Sequence, residues 1–283
     1  RHRLSSRRAT RRARLPTRTR FTFIGSEQGP GSPGPFLVNG RTMFQLSAEQ
    51  YDVLYSVKDY EREAHLLREH LSHLDPSLHT VLDVACGTGA HDEHLCRYYE
   101  VDGLDLKSEF VETARRRNQR GRYHVADMRD FRLDRLYDTV ICLFGSIGYA
   151  RSRADLVRTL TCCREHLTPR GVVVIEPWLT PDAFESPAIH RHHSREGEVT
   201  VVRMSRSTRR QDGADCVSVL DIHYLVGTPE GIDYSTETHE LGLFTHRQME
   251  SALTEAGFCD IHHDRQGLAG RGLYTARVGR SNS

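Results

Sequence analysis

The stretch DVACGTG at 83–89 constrains this chain more than any other segment. It follows the apolar run HTVLDVA (79–85) and precedes a helical pattern from about 90 to 98, so it reads as a strand–turn–helix junction. Gly87 and Gly89 let the backbone turn sharply and approach a ligand that a side chain would hold away. A dinucleotide loop would carry a third glycine three positions on, where this sequence has Asp92. The junction therefore reads as a cradle for a ligand that bears no phosphate.

The surrounding pattern gives the loop its context. VDGLDL (101–106), RYHVAD (122–127), YDTVICLF (137–144) and GVVVIEPW (171–178) follow as strands. Helices are expected over 108–118, with Ser108 as N-cap, and over 153–167. Apolar strands alternating with helices imply a parallel sheet covered on both faces. One helical pattern over 47–73 precedes this core, and Asp75-Pro76 ends it. After Pro181 the period changes to two, and 199–209, 216–226 and 234–244 read as antiparallel strands between Gly/Asp turns. A helix over 245–258 capped by Thr245, then strands over 258–264 and 272–278, close the chain. The expected fold class is α/β: a doubly wound, mostly parallel, seven-stranded Rossmann-like sheet with an inserted antiparallel β subdomain. The main domain would comprise 43–180 and 245–283, and the insertion 181–244 would cover an acceptor site.

Charge separates the first 42 residues from the rest. Ten arginines there face the single acid Glu27, so the remainder of a chain with net charge +1 is acidic. An acidic body argues against a nucleic-acid-binding domain. The stretch lacks periodicity and reads as disordered: a transit-type leader, a basic arm, or sequence upstream of a start at Met43. No apolar run reaches the length of a membrane span, and the seven cysteines form no CxxC pair. They read as reduced core thiols of a cytoplasmic protein. His190, His192 and His193 lack a companion acid at helical spacing, so no metal site is expected.

Several residues beyond the loop carry chemistry. Asp105 ends the second strand, where an acid can accept both hydroxyls of an adenosine ribose. Asp127 ends the third and can accept from an adenine amino group, with the Met128 backbone beside it. Leu143, Phe144 and Ser146 end the fourth strand, and Glu176 and Trp178 the fifth. In doubly wound sheets ligands sit outside these carboxyl ends, so Leu143, Phe144 and Ser146 should face the transferred group, and Glu176 and Trp178 should line the acceptor side. His223, on a strand, is a candidate wall of the same pocket.

From about Gln45 to Val278 the chain resembles the class I S-adenosylmethionine-dependent methyltransferases. Within them it is most similar to the N,N-dimethyltransferases of nucleotide-linked amino sugars in macrolide biosynthesis. The segments that carry the resemblance are VLDVACGTGAH (81–91), DMRDF (127–131), GSIGY (145–149), VVVIEPW (172–178), FTHRQ (244–248) and GRGLY (270–274), with AEQYD (48–52) and KDY (58–60). The resemblance implies S-adenosylmethionine as cofactor, held by Asp83, Ala85, Gly87, Gly89, Asp105, Leu106, Asp127, Met128 and Leu143. It also implies Tyr60 at the methionine end, Tyr51 beside the transferred methyl, and Arg271 placed for a phosphate of a nucleotide-sugar acceptor. A homodimer is compatible with it. Tyr149 stands where close relatives carry histidine, and Trp178-Leu179 where they carry an aromatic pair.

A sulfonium methyl is already electrophilic, so the protein mainly aligns nucleophile, methyl and sulfur. The expectation is that Tyr149 and Tyr51 orient the amine and pass its proton to water, with His223 as a third candidate. The alternatives are an O-methyltransferase or one acting on another amine, which would depend on a base such as His223 or Glu176, and a cofactor-binding scaffold protein without turnover.

Overall fold

The computed structural model describes residues 36–38, 41–43 and 45–279. Expectations for residues 1–35 lie outside the described residues. Strands β1 (Phe36–Val38) and β2 (Arg41–Met43) pair antiparallel, Val38 opposite Arg41, inside the stretch expected to lack structure. The overlooked signal is Asn39-Gly40, the commonest two-residue hairpin dipeptide, after an apolar triplet.

The helical pattern over 47–73 resolves into two helices, α1 (Ala48–Tyr55) and α2 (Tyr60–Leu74). Ser47 and Gln50 form a capping box at the start of α1, and Asp59 caps α2 through the Arg62 amide. This second cap explains the break.

The alternating segment builds β3 (Thr80–Val84), α3 (Asp92–Leu95), β4 (Glu100–Asp105), α4 (Ser108–Arg117), β5 (Tyr123–Val125), β6 (Tyr137–Cys142), α5 (Arg153–Glu165) and β7 (Leu167–Ile175). Ser108 is the first helical residue of α4 and not its N-cap. Lys107 occupies that position without a side-chain cap, because an ammonium group has no lone pair to accept a backbone amide. Four antiparallel strands follow: β8 (Ala188–Glu196), β9 (Val199–Asp212), β10 (Asp215–Thr228) and β11 (Gly231–Gly242). Helix α6 (His246–Glu255) with strands β12 (Phe258–Asp264) and β13 (Leu273–Val278) complete the chain.

The main sheet has seven strands in the order β12-β13-β7-β6-β3-β4-β5. It is parallel except at β13, which runs antiparallel to both β7 and β12. Alternation along the strands divides the core between two faces. Leu82, Val84, Val140 and Ile175 pack with Leu156 and Leu160 of α5 and Leu253 of α6. Val81, Val101, Ile141 and Val174 pack with Leu67 and Leu71 of α2 and Leu95 of α3. Truncating a fully buried leucine such as Leu67 or Leu82 to alanine should cost about 2–5 kcal/mol.

The second sheet runs β11-β10-β9-β8, antiparallel throughout. Its strand β8, AIHRHHSRE, shows no apolar alternation and is absent from the strands expected from sequence. It is an edge strand held by backbone pairing to β9. Val53 and Leu54 of α1 pack against Val201, Ile222, Tyr224 and Val226 of this sheet. That contact fixes α1 beside the carboxyl ends of the main strands.

Candidate active site

The carboxyl ends of β3 to β7 and the inner face of the antiparallel sheet line one cavity of about 520 Å³. This is within the size range of small-molecule sites.

The first wall is the loop after β3. Ala85, Gly87 and Gly89 all adopt positive φ (62°, 58° and 74°). The two glycines serve different ends. A Cβ on Gly87 would meet nothing within 4 Å and would project into open space, whereas one on Gly89 would lie 2.9 Å from Ala114 Cβ of α4. Gly87 lines the cavity, and Gly89 lets the loop pack on a helix. Asp105, at the end of β4, accepts the Gly87 amide through Oδ2 at 2.9 Å, so the two halves of this wall brace each other. Burial raises the Asp105 pKa, and amide hydrogen bonds from Lys107, Gly87 and Leu106 oppose the rise. Leu106, Asp127 and Met128 continue the wall. Both carboxylate oxygens of Asp127 are engaged by Arg129, with Nη2 at 2.6 Å, and this pairing holds the acid below its usual range.

The second wall follows β6. Phe144, a bulky residue at φ 56°, is held in this conformation by its amide donating to Glu176 Oε2 at 2.6 Å. Its ring lies between two cations, with Lys58 Nζ 4.7 Å and the Arg271 guanidinium carbon 4.9 Å from the centroid. Gly145 is needed because a Cβ there would sit 2.9 Å from the Trp178 ring. Trp178 in turn donates its indole N–H to Ser218 of β10, joining the two sheets at the cavity. Ser146, Tyr149, Trp178 and Arg271 all line it.

The third wall is α1. Tyr51 and Tyr55, one helical turn apart, pack with tilted rings 4.7 Å between centroids and both face the cavity. Burial raises the Tyr51 and Tyr149 phenols well above the ordinary value, with the neighbouring Tyr55 phenol adding to both. Arg117 of α4 clamps this helix to the glycine loop. It donates to Asp52 Oδ2 at 2.7 Å and to the Thr88 carbonyl at 2.9 Å.

Some expected site residues lie elsewhere. His223 is exposed and hydrogen-bonds the Tyr234 hydroxyl at 2.6 Å. Alternation along β10 sends Ile222 and Tyr224 inward and His223 outward. Glu176 is fully buried behind the cavity wall, where it holds Phe144 and lies 3.6 Å from Arg271. Leu143 faces the α2 side of the core. Tyr60 packs edge-on against His91, 4.8 Å between centroids, rather than lining the cavity. Asp83 is buried beside Asp92, with an Oδ1 that has no hydrogen-bond partner; burial raises both acids, Asp92 to about 7.

Sequence reasoning missed Arg203, Glu237 and His239, which line the cavity from the antiparallel sheet. Period-two alternation in TETHELG, carried inward from Leu241, points Glu237 and His239 to the same face. His190, on β8, also faces the cavity and lies 3.2 Å from the Ser207 hydroxyl.

Residues 81–171 match a methyltransferase domain family. The chain is 39% identical over 236 residues to the dTDP-3-amino-3,6-dideoxy-alpha-D-glucopyranose N,N-dimethyltransferase of Streptomyces fradiae, covering 82% of this chain and 91% of that one. This chain belongs to the sugar N,N-dimethyltransferase family of S-adenosylmethionine-dependent methyltransferases. The crystal structure of Streptomyces venezuelae DesVI is similar at TM-score 0.76 and 33% identity, over 84% of this methyltransferase and all of that chain. CalS10, an amino pentose methyltransferase from Micromonospora echinaspora solved with S-adenosylmethionine bound, aligns at TM-score 0.71 and 31% identity, over 83% and 98% of the two chains. The cofactor fits the residues present in this methyltransferase. Open space before Gly87 admits a ligand at the backbone, and the Asp105 carboxyl lining the same wall is the group that would accept ribose hydroxyls.

Proposed function

We propose that this methyltransferase acts on the amino group of a nucleotide-linked (dTDP) amino deoxysugar. The observation that carries the reading is one cavity continuous from the glycine loop to the inner face of the antiparallel sheet. It has room for a methyl donor against β3–β5 and an acceptor against the sheet. The acceptor side is chemically suited to an anion beside a sugar. Arg203 has no carboxylate within ion-pairing distance among the described residues, and it donates to the Tyr55 hydroxyl at 2.9 Å. Arg271 keeps only a long 3.6 Å pairing to Glu176. Two guanidinium groups with spare donors suit a diphosphate. The named relative acts on a dTDP-amino sugar, which supports the same class here.

S-adenosylmethionine supplies an electrophilic methyl group on a sulfonium. The chain's own residues then have to hold, orient and desolvate. Asp105 and the Gly87–Gly89 loop hold the donor, and Tyr51 and Tyr149 border the space between the two walls. With phenol pKa values raised by burial, both tyrosines stay neutral at physiological pH. Each therefore orients an amine through its hydroxyl and does not act as a phenolate base. The test is incubation of the enzyme with S-adenosylmethionine and a panel of dTDP-linked 3-amino and 4-amino sugars, read by mass. A product bearing one or two added methyl groups is expected. Tight cofactor binding with no product from any member would rule the acceptor class out.

A further inference from the structure

We infer that Tyr149, His239 and Glu237 form a proton relay that takes the proton the amine must lose before it attacks. This rests on the amine reading above and goes beyond it, because the proton is assigned to an imidazole inside the cavity and not to water.

The three side chains line the cavity in series. The Tyr149 hydroxyl lies 2.6 Å from His239 Nδ1, and His239 Nε2 lies 2.5 Å from Glu237 Oε2. A carboxylate accepts only, so Nε2 carries the imidazole hydrogen and Nδ1 presents its lone pair to Tyr149. Glu237 is 4% exposed and is fixed by the Gln45 and Leu46 amides, which both donate to Oε1. Burial raises its pKa, but hydrogen bonds from His239 and those amides outweigh burial and hold it below the ordinary value. The charge is therefore in place before the imidazole is protonated.

The step balances without a co-reactant. An ammonium proton moves to the Tyr149 oxygen as the Tyr149 hydroxyl proton moves to His239 Nδ1. The N–H electron pair stays on the amine as its lone pair, and the imidazolium formed faces the Glu237 carboxylate. His239 returns the proton to solvent as product leaves. Tyr149 is the catalytic residue, since it touches the amine, and His239 and Glu237 act through it. Other titratable and charged groups face this chain: Tyr55 from α1, Asp105 at the end of β4, Lys107 before α4, and Arg203 and Tyr224 on the antiparallel sheet.

The test compares kcat/KM against pH for the wild type, Tyr149→Phe, His239→Gln and Glu237→Gln with a dTDP-linked amino sugar. The wild type can use the ammonium form with a neutral imidazole, so its profile stays flat within about threefold over about two pH units below the pKa of the amine. Each variant must wait for neutral amine, so its profile drops about tenfold for each pH unit that the pH is lowered across the same interval. Affinity for S-adenosylhomocysteine, measured in parallel, should remain within a few-fold and report on folding. Variant profiles parallel to that of the wild type, lowered by a constant factor, would show a structural role and overturn the relay. A wild-type profile that itself drops tenfold per unit toward acid would also overturn it. A wild type that methylates no amino sugar at any pH would instead remove the acceptor reading on which the relay rests.

Discussion

At the residue scale, the two glycines of the loop make separable predictions. Gly89→Ala combines a positive φ with a Cβ 2.9 Å from Ala114, so about 1–3 kcal/mol of stability should be lost in denaturant unfolding. Gly87→Ala carries a similar backbone strain but meets no neighbour. Its larger effect should appear as weaker cofactor binding by calorimetry, because its methyl group enters the cavity. His223→Ala should leave kcat/KM within about twofold, since that ring is exposed and turned from the cavity. The sequence marked the loop glycines and Asp105 clearly, because strand, turn and helix signals agree there. It mistook His223 for His239 because both sit on alternating strands. Only the register shows which parity of β10 and of β11 faces inward: His223 pairs with Thr236, and His239 with Leu220.

The acid pair Asp83 and Asp92 gives a residue-scale prediction in pH. Burial lifts the folded pKa of Asp92 from the ordinary value of 3.8 to about 7. Between these values the folded state binds more protons than the unfolded chain, so this pair's contribution to stability falls as pH rises from about 4 to 7. Asp92→Asn cannot ionise, so its stability measured by urea unfolding should gain on the wild type toward pH 8 and lose that advantage near pH 4. An Asp92→Asn variant with the wild-type slope across this window would show that the acid titrates normally.

At the element scale, α1 is the part that assembles the site. Its apolar side packs on the antiparallel sheet, its tyrosines face the cavity, and Asp52 on it is gripped by Arg117. Arg117 also donates to Thr88, so one side chain ties the helix to the cofactor loop. Arg117→Ala should therefore raise KM for both substrates and lower Tm, with loss of the partly buried pair and its loop contacts costing about 1–3 kcal/mol. A variant with unchanged KM for the donor would show that the loop holds its shape without the clamp. Long regular elements were legible from period alone, and β3, β4, β6 and α5 appear within a few residues of expectation. The edge strand β8 was not, because its order comes from pairing with β9 and not from its own composition.

At the scale of the whole molecule, the chain joins two architectures with different periods, and the cavity lies where they meet. The carboxyl ends of the main sheet line the cavity in the place where doubly wound sheets bind ligands. The antiparallel sheet contributes Arg203, Glu237 and His239 to the same cavity. The fold class was readable because a parallel sheet needs apolar strands between helices, and the change of period after Pro181 stands out against it. The acceptor wall was harder to read. Its residues come from β9, β10, β11 and the GRG turn, brought together only by the packing of two sheets. Among the described residues no helix is long and apolar enough to cross a membrane.

The central claim is methylation of nitrogen on a nucleotide-linked sugar. The direct test supplies isotopically labelled S-adenosylmethionine with one dTDP-linked sugar in two forms, bearing either an amine or a hydroxyl at the same carbon. Labelled methyl is expected on the amine and none above background on the hydroxyl. Equal labelling of the hydroxyl form, or labelling of neither while the cofactor binds tightly, would contradict it.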